Sequence, residues 1–203
     1  FNAKDSFMND YIIRDEVFGS VLYDKKLLKY KFLSHVETKN TVNLFQENGS
    51  GFEHWHFSYL DPRTDILSSP IRIYYEITLK CNLECKLCFN NSGKPRTTEL
   101  STREIVLSID KIRKANVIDL RFTGGEITQH PGWFEILKHS KDCGFVVSCN
   151  TNGVYSDTKT IDKLLSLSLD QITISIDGIG IIHEQNRGHN TYIKTIEALK
   201  HLS

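Results

Sequence analysis

Between residues 11 and 33 apolar and polar positions alternate in short runs. Leu28, Tyr30 and Phe32 alternate with Lys29 and Lys31, and Asp24-Lys25-Lys26 marks a turn after Val21-Leu22-Tyr23. The pattern predicts a β-hairpin. Residues 38–69 hold no sustained period; Asn48-Gly49-Ser50-Gly51 reads as a flexible break and Asp61-Pro62-Arg63 as a turn, so this stretch is expected to be a connector.

After Pro70 the texture changes to alternating strands and helices. A β-branched and aromatic run over 71–78 predicts the first strand, and Ser101-Thr102-Arg103-Glu104 is a capping box opening a helix whose Ile105, Ile109 and Ile112 keep a helical period. The next strand spans 117–123. Pro131 suits the first turn of the second helix, Ile136 and Leu137 give it an apolar face, and Gly144 is its C-terminal cap. Strands over 145–151 and 171–177 and helices over 158–167 and 191–202 complete four β/α units. Such units form a parallel sheet, either open and doubly wound or curled toward a barrel. The expected division is a β-rich region over 1–69 and a β/α core over 70–203.

Ligands of parallel β/α sheets sit at the carboxyl ends of the strands. The segments following the four strands are a cysteine-rich loop, Gly124-Gly125-Glu126, Asn150-Thr151-Asn152-Gly153 and Ser175-Ile176-Asp177-Gly178. All four are expected to converge on one rim.

Composition narrows the classes. The 203 residues are 39% apolar and 10% aromatic with four prolines, which excludes collagen-like, coiled-coil and disordered chains. No apolar run approaches the roughly 20 residues of a membrane span, and no signal peptide opens the chain, so a cytoplasmic protein is expected. With 25 basic and 25 acidic residues the net charge is zero, which argues against nucleic acid as partner. The chain begins at Phe1 and closes inside a helical pattern, and is expected to be part of something longer.

Five cysteines are unevenly spread, and three of them, Cys81, Cys85 and Cys88, lie in Cys81-Asn82-Leu83-Glu84-Cys85-Lys86-Leu87-Cys88. A C-x3-C-x2-C loop suits a metal in a reducing compartment better than a disulfide framework. Three thiolates can hold three corners of an iron–sulfur cubane and leave one iron open for chemistry. The competing reading is a structural zinc site completed by Cys143, Cys149, His54 or His56, although the usual second C-x2-C knuckle is missing. Cys143 and Cys149 by themselves read as core thiols.

Cys81-x3-Cys85-x2-Cys88 on the first β/α loop, followed by Gly124-Gly125-Glu126 after the second strand, resembles the radical S-adenosylmethionine superfamily from about residue 70 onward. The resemblance implies a partial (β/α) TIM-like barrel, of which relatives have six units and this chain four. It implies a [4Fe-4S] cluster on the three cysteines whose open iron binds S-adenosylmethionine. Reductive cleavage then gives methionine and a 5′-deoxyadenosyl radical that abstracts hydrogen from substrate. Electrons would come from a flavodoxin or ferredoxin.

By the same resemblance, Gly124, Gly125 and Glu126 approach the cofactor, Ser175 meets its ribose or methionyl part, Arg187 pairs with its carboxylate and Phe89 offers its backbone to the adenine. Asn150, Thr151 and Asn152 face substrate or cofactor or form a turn. Leu87 stands where relatives commonly have an aromatic residue, and Ile127 where they have proline. The N-terminal hairpin is weakly similar to segments of peptide-modifying members. Its strand edge could pair with an extended leader peptide, acidic to match its lysines, or merely cap the barrel. A ribosomally made peptide is therefore the leading substrate. The alternatives are an enzyme of small-molecule or cofactor biosynthesis, and a zinc-binding or metal-free interaction module.

Overall fold

The computed structural model describes residues 9–57, 66–155 and 157–203, so the turn expected at Asp61-Pro62-Arg63 lies outside the described residues. The chain divides into two compact units, Phe1–Pro70 and Ile71–Ser203.

In the first unit β1 (Tyr11–Glu16), β2 (Gly19–Asp24) and β3 (Lys29–Ser34) form an antiparallel meander, one strand more than the expected hairpin. The expected connector is instead a helix, α1 (His35–Glu47), and a strand, β4 (Phe52–Trp55), which pairs parallel to β1 in a sheet ordered β3-β2-β1-β4. No residue of α1 is buried, so an apolar stripe could not announce it. Its one local signal is a capping box, in which Ser34 and Glu37 satisfy each other's backbone N–H groups. Ile12, Ile13, Val21 and Tyr23 are fully buried, and so is the Arg14 side chain. Its guanidinium donates to Glu16 at 2.7 Å and to the Ser69 and Pro70 carbonyls at 3.0 Å, so the buried charge is paired.

The second unit is a parallel sheet ordered β5 (Arg72–Glu76), β6 (Asp119–Thr123), β7 (Val146–Thr151), β8 (Gln171–Ile174). The crossovers are α2 (Thr102–Lys114), α3 (Trp133–Asp142) and α4 (Thr158–Ser166), and α5 (Ile181–Arg187) and α6 (Thr191–Leu202) follow β8. Strand order equals chain order, so the unit is an open β/α sheet, compatible with a partial barrel; no closed barrel forms among the described residues. Ile105 and Ile109 of α2, Ile136 and Leu137 of α3 and Leu164 of α4 pack on Leu120, Phe122 and Val147. Strand and helix periods each place one apolar face toward this layer.

Three details differ from the sequence reading. Pro131 lies outside α3, whose N-cap is Gly132, where a Cβ would meet Thr102 Oγ1 at 2.0 Å and only glycine fits. The last strand ends at Ile174, leaving Ser175 to Gly178 as loop, and α5 follows where no helix was expected. The capping box of α2 matches its expectation, with Ser101 and Glu104 exchanging hydrogen bonds. Ser101→Ala is expected to cost about 1 kcal/mol, read as a lowered midpoint in thermal unfolding followed by circular dichroism. Among the described residues no helix is long and apolar enough to cross a membrane.

Candidate active-site cleft

The carboxyl ends of the four parallel strands surround a cleft of ≈ 310 Å³, into which Cys81, Cys85, Cys88, Phe89, Gly124, Gly125, Ser175 and Arg187 all face. Asn150, Thr151 and Asn152 line it as well. Glu126 does not.

The cysteine loop is closed at its base by a bridge between Lys80 and Gly93, where Cys81 N–H donates to the Gly93 carbonyl at 3.2 Å and Gly93 N–H to Leu79 at 2.9 Å. Its tip is held by α5: the Asn186 carbonyl accepts from Lys86 N–H at 3.0 Å and its side-chain oxygen from Leu87 N–H at 2.8 Å. Asn186 is in turn held by Asp177, which also accepts from Arg187 Nε at 2.8 Å and Nη2 at 2.9 Å. That pairing keeps the Asp177 carboxyl below its usual range and the guanidinium aimed. On the other side, Asn82 donates to the Val154 carbonyl at 2.6 Å and accepts from Asn152 at 2.8 Å. Asn82, Asp177 and Asn186 carry no sequence signal beyond lying near the ends of strands and the cysteine motif; their work was not foreseen.

Burial pushes the Cys81 and Cys85 thiols up, and at Cys85 Arg187 opposes that rise. At Cys88 burial also pushes up, but N–H donors of Ser92, Asn90 and Asn91 outweigh it and the thiol lies below its usual range. Leu83 N–H approaches Cys81 Sγ at 3.4 Å and Ser92 N–H approaches Cys88 Sγ at 3.3 Å, contacts that favour the charged form of the sulfur.

Thiolates sharing one zinc at about 2.3 Å would lie ~3.8 Å apart. Groups of three ligand atoms mutually within 4.8 Å occur at Asp15, His54, His56 and at Asp110, His139, Cys143 among the described residues, and the three loop cysteines are not such a group. The proposed fourth zinc ligands are also engaged elsewhere. His54 and His56 cluster with Asp15 in the first unit, and Cys149 is 1% exposed within the β7 core, its thiol pushed up to about 12 by burial and by Glu126. Cys143, expected in the core, is only half-buried and faces His139 and Asp110.

Gly124 and Gly125 have a packing reason beyond closeness to a ligand. A Cβ on Gly124, whose φ is +155°, would lie 2.3 Å from the Thr78 carbonyl oxygen, and one on Gly125 would lie 2.4 Å from that of Lys80. The two glycines let β6 dock on the start of the cysteine loop, where Gly125 and Glu126 N–H groups donate to the Thr78 and Lys80 carbonyls at 2.8 and 2.9 Å.

The Glu126 carboxylate is fully buried rather than exposed at a turn. It accepts from Asn152 N–H at 2.8 Å, Thr151 Oγ1 at 3.0 Å and Thr128 Oγ1 at 3.1 Å, tying the β6 turn to the end of β7. Burial pushes its carboxyl up, and these donors oppose the rise. Ile127, in the place of the expected proline, is fully buried in the core. The Phe89 ring is fully exposed at the cleft.

An open parallel β/α sheet with three cysteines and a bis-glycine turn around a cleft at its carboxyl edge defines a β/α protein of the class that binds its ligands beyond the ends of its strands. The chain belongs to the radical SAM superfamily, whose family description, "Radical SAM superfamily", matches residues 75–203. That family consists of enzymes using a [4Fe-4S] cluster and S-adenosylmethionine. The chain is similar to mycofactocin maturase MftC of Mycobacterium ulcerans, 30% identical over 138 residues, 68% of this chain and 37% of the relative. It is also similar to the sporulation killing factor maturation protein SkfB of Bacillus subtilis, 31% identical over 157 residues, 74% of this chain and 38% of the relative. The chain thus spans little more than a third of the length of these curated relatives. Among solved structures it shares the fold of Streptococcus suis SuiB bound to S-adenosylmethionine, with a TM-score of 0.72 at 16% identity, covering 95% of this chain and 52% of SuiB.

Proposed function

We propose that the chain carries the catalytic half of a radical S-adenosylmethionine enzyme that modifies a peptide. The observation that carries the chemistry is the convergence of Cys81, Cys85 and Cys88 with Gly124, Gly125, Ser175 and Arg187 in one cleft. The three thiolates would hold a [4Fe-4S] cluster, which when reduced supplies the electron that cleaves S-adenosylmethionine to methionine and a 5′-deoxyadenosyl radical.

The chain's own residues place the partners. Asn186 and Asn82 hold the cysteine loop at two points, so its three cysteines line the cleft. Arg187, fixed by Asp177, presents positive charge to a methionyl carboxylate, and Ser175 offers a hydroxyl to the ribose or methionyl part. Carbonyls of the glycine turn can accept from the ammonium, while the buried Glu126 holds that turn in place. Phe89 and Leu87, both exposed at the rim, cover the adenine side. A flavodoxin or ferredoxin would deliver the electron.

The relatives' names as maturation proteins support a peptide substrate, as does the first unit. Its strand β3 is a sheet edge whose Lys29, Tyr30, Lys31 and Phe32 are exposed, with Phe18 and Tyr30 rings packed against Phe32. An acidic extended leader can add there as a further strand.

The test is anaerobic reconstitution with iron and sulfide, reduction, and electron paramagnetic resonance with and without S-adenosylmethionine. 5′-Deoxyadenosine is then measured with and without an acidic extended peptide. A reduced-cubane signal that changes on adding S-adenosylmethionine, with peptide-stimulated deoxyadenosine, is the expected result. Absence of the cubane overturns the enzyme reading, and cleavage that no peptide stimulates moves the substrate to the small-molecule class.

A further inference from the structure

On the side of the second unit away from the cleft, α2 and α3 bring three ligand-bearing side chains together. Asp110 lies in the last turns of α2, His139 in the last turn of α3, and Cys143 is the C-cap of α3, three residues before β7 begins. These positions lie toward the amino ends of the strands, whereas the cleft is at their carboxyl ends.

Cys143 Sγ is 3.5 Å from His139 Nε2 and 4.0 Å from Asp110 Oδ1, and His139 Nε2 is 2.7 Å from the same Asp110 oxygen. A Cys-His-Asp nucleophile would need the imidazole to meet the thiol through one nitrogen and the carboxylate through the other. Here Nε2 faces both, so the three atoms point at one another and at a common centre. Zinc bonds of about 2.0–2.3 Å in a tetrahedron separate such donors by about 3.4–3.6 Å. The observed triangle brackets that spacing and needs only sub-ångström to ångström side-chain adjustments to enclose an ion.

Two further features favour a cation at this point. His139 and Cys143 are four residues apart, so one helical face delivers both donors. The carboxyl end of α3 carries partial negative charge, which attracts positive ions. Arg113 Nε donates to the Cys143 carbonyl at 2.9 Å, which fixes the cap while leaving the thiol toward His139. Sulfur and nitrogen donors with one carboxylate select a borderline-soft ion and disfavour magnesium or calcium.

We infer that Asp110, His139 and Cys143 form a binding site for one zinc-type divalent cation, with solvent as the fourth ligand, which clips α2 to α3. The site is separate from the three-cysteine loop: it joins two crossover helices on the face that parallel β/α folds use for stability, and its solvent position leaves the ion open to exchange.

Cobalt(II) is the probe, because a cysteine ligand gives a sulfur-to-cobalt charge-transfer band that the Asp15, His54, His56 cluster cannot produce. In the full chain carrying Cys81→Ser, Cys85→Ser and Cys88→Ser, one equivalent of Co²⁺ is expected to raise this band. Adding Cys143→Ser should abolish it, and His139→Gln should abolish the tetrahedral visible bands. Cys149, 1% exposed, does not compete. In the unsubstituted chain Zn²⁺ should shield Cys143 from alkylation, read on its peptide by mass spectrometry, and this second measurement stands even where a substituted chain folds poorly. No band at one equivalent, a band that survives Cys143→Ser, or equal alkylation of Cys143 with and without Zn²⁺ overturns the site.

Discussion

Gly125→Ala is expected to leave a chain that folds but assembles little or no cluster. The added Cβ would lie 2.4 Å from the Lys80 carbonyl oxygen, 2.6 Å from that of Leu79 and 2.8 Å from the Lys80 carbonyl carbon. All three are backbone atoms, so no side chain can swing aside, and segment 79–80 must move away from β6. That movement breaks the hydrogen bonds from Gly125 N–H to Thr78 and from Glu126 N–H to Lys80, at about 1 kcal/mol each, with the strain adding a further 1–3 kcal/mol. Cys81 follows Lys80 directly, so the first thiolate leaves its place while the core of Leu120, Phe122 and Ile136 is untouched. Iron and acid-labile sulfide per chain, measured after anaerobic reconstitution, should fall to near zero, with far-ultraviolet circular dichroism retained. Full cluster loading would show that the glycine turn does not set the position of the loop.

Glu126→Ala is expected to lose as much stability as the glycine change, by a different route. It removes the acceptor for Asn152 N–H, a buried donor that water cannot reach, and for the Thr151 hydroxyl, and it leaves a cavity under the β6 turn. One stranded buried donor costs about 1–3 kcal/mol, and the lost packing brings the total to about 3–5 kcal/mol. For a chain of this size that is a fall in the thermal midpoint of about 10 °C. Cluster loading should fall as well, because Asn152 also donates to Asn82 and approaches Cys81 Sγ at 3.8 Å. Glu126→Gln keeps the volume and one acceptor oxygen but turns an amide N–H toward existing donors, so its loss should be intermediate. A midpoint unchanged in Glu126→Ala would show that the carboxylate is not the tie between β6 and β7.

Glu126 also shows where reading a sequence stops. Its place after two glycines suggests a group at the ligand, yet the structure turns its carboxylate into the protein and leaves the glycine backbone facing the cleft. The choice depends on donors from β7, twenty-five residues and more away, which no local pattern specifies. Cys143 is a similar case. A thiol near a helix end reads as core because cysteine is small and apolar, and only the packing of α2 on α3 puts an imidazole and a carboxylate beside it.

The sequence alone determined the β/α alternation, the strand and helix order after Pro70 apart from α5, the Ser101 cap, the three-cysteine loop and the glycine turn. Each single element, loop or turn among these is written in residues within about a dozen positions of one another, where side-chain period, capping chemistry and ligand spacing act directly on the local backbone. The tertiary structure decided the rest. It decided that α1 and β4 occupy the expected connector, since α1 buries no residue and could show no stripe. It decided that Asn186 grips the cysteine loop from ninety-nine residues away, that Glu126 is a buried tie, and that Asp110 meets His139 and Cys143 across two helices. These contacts join groups far apart in the chain, and their partners are chosen by the packing of the sheet and its crossovers rather than by neighbours in sequence.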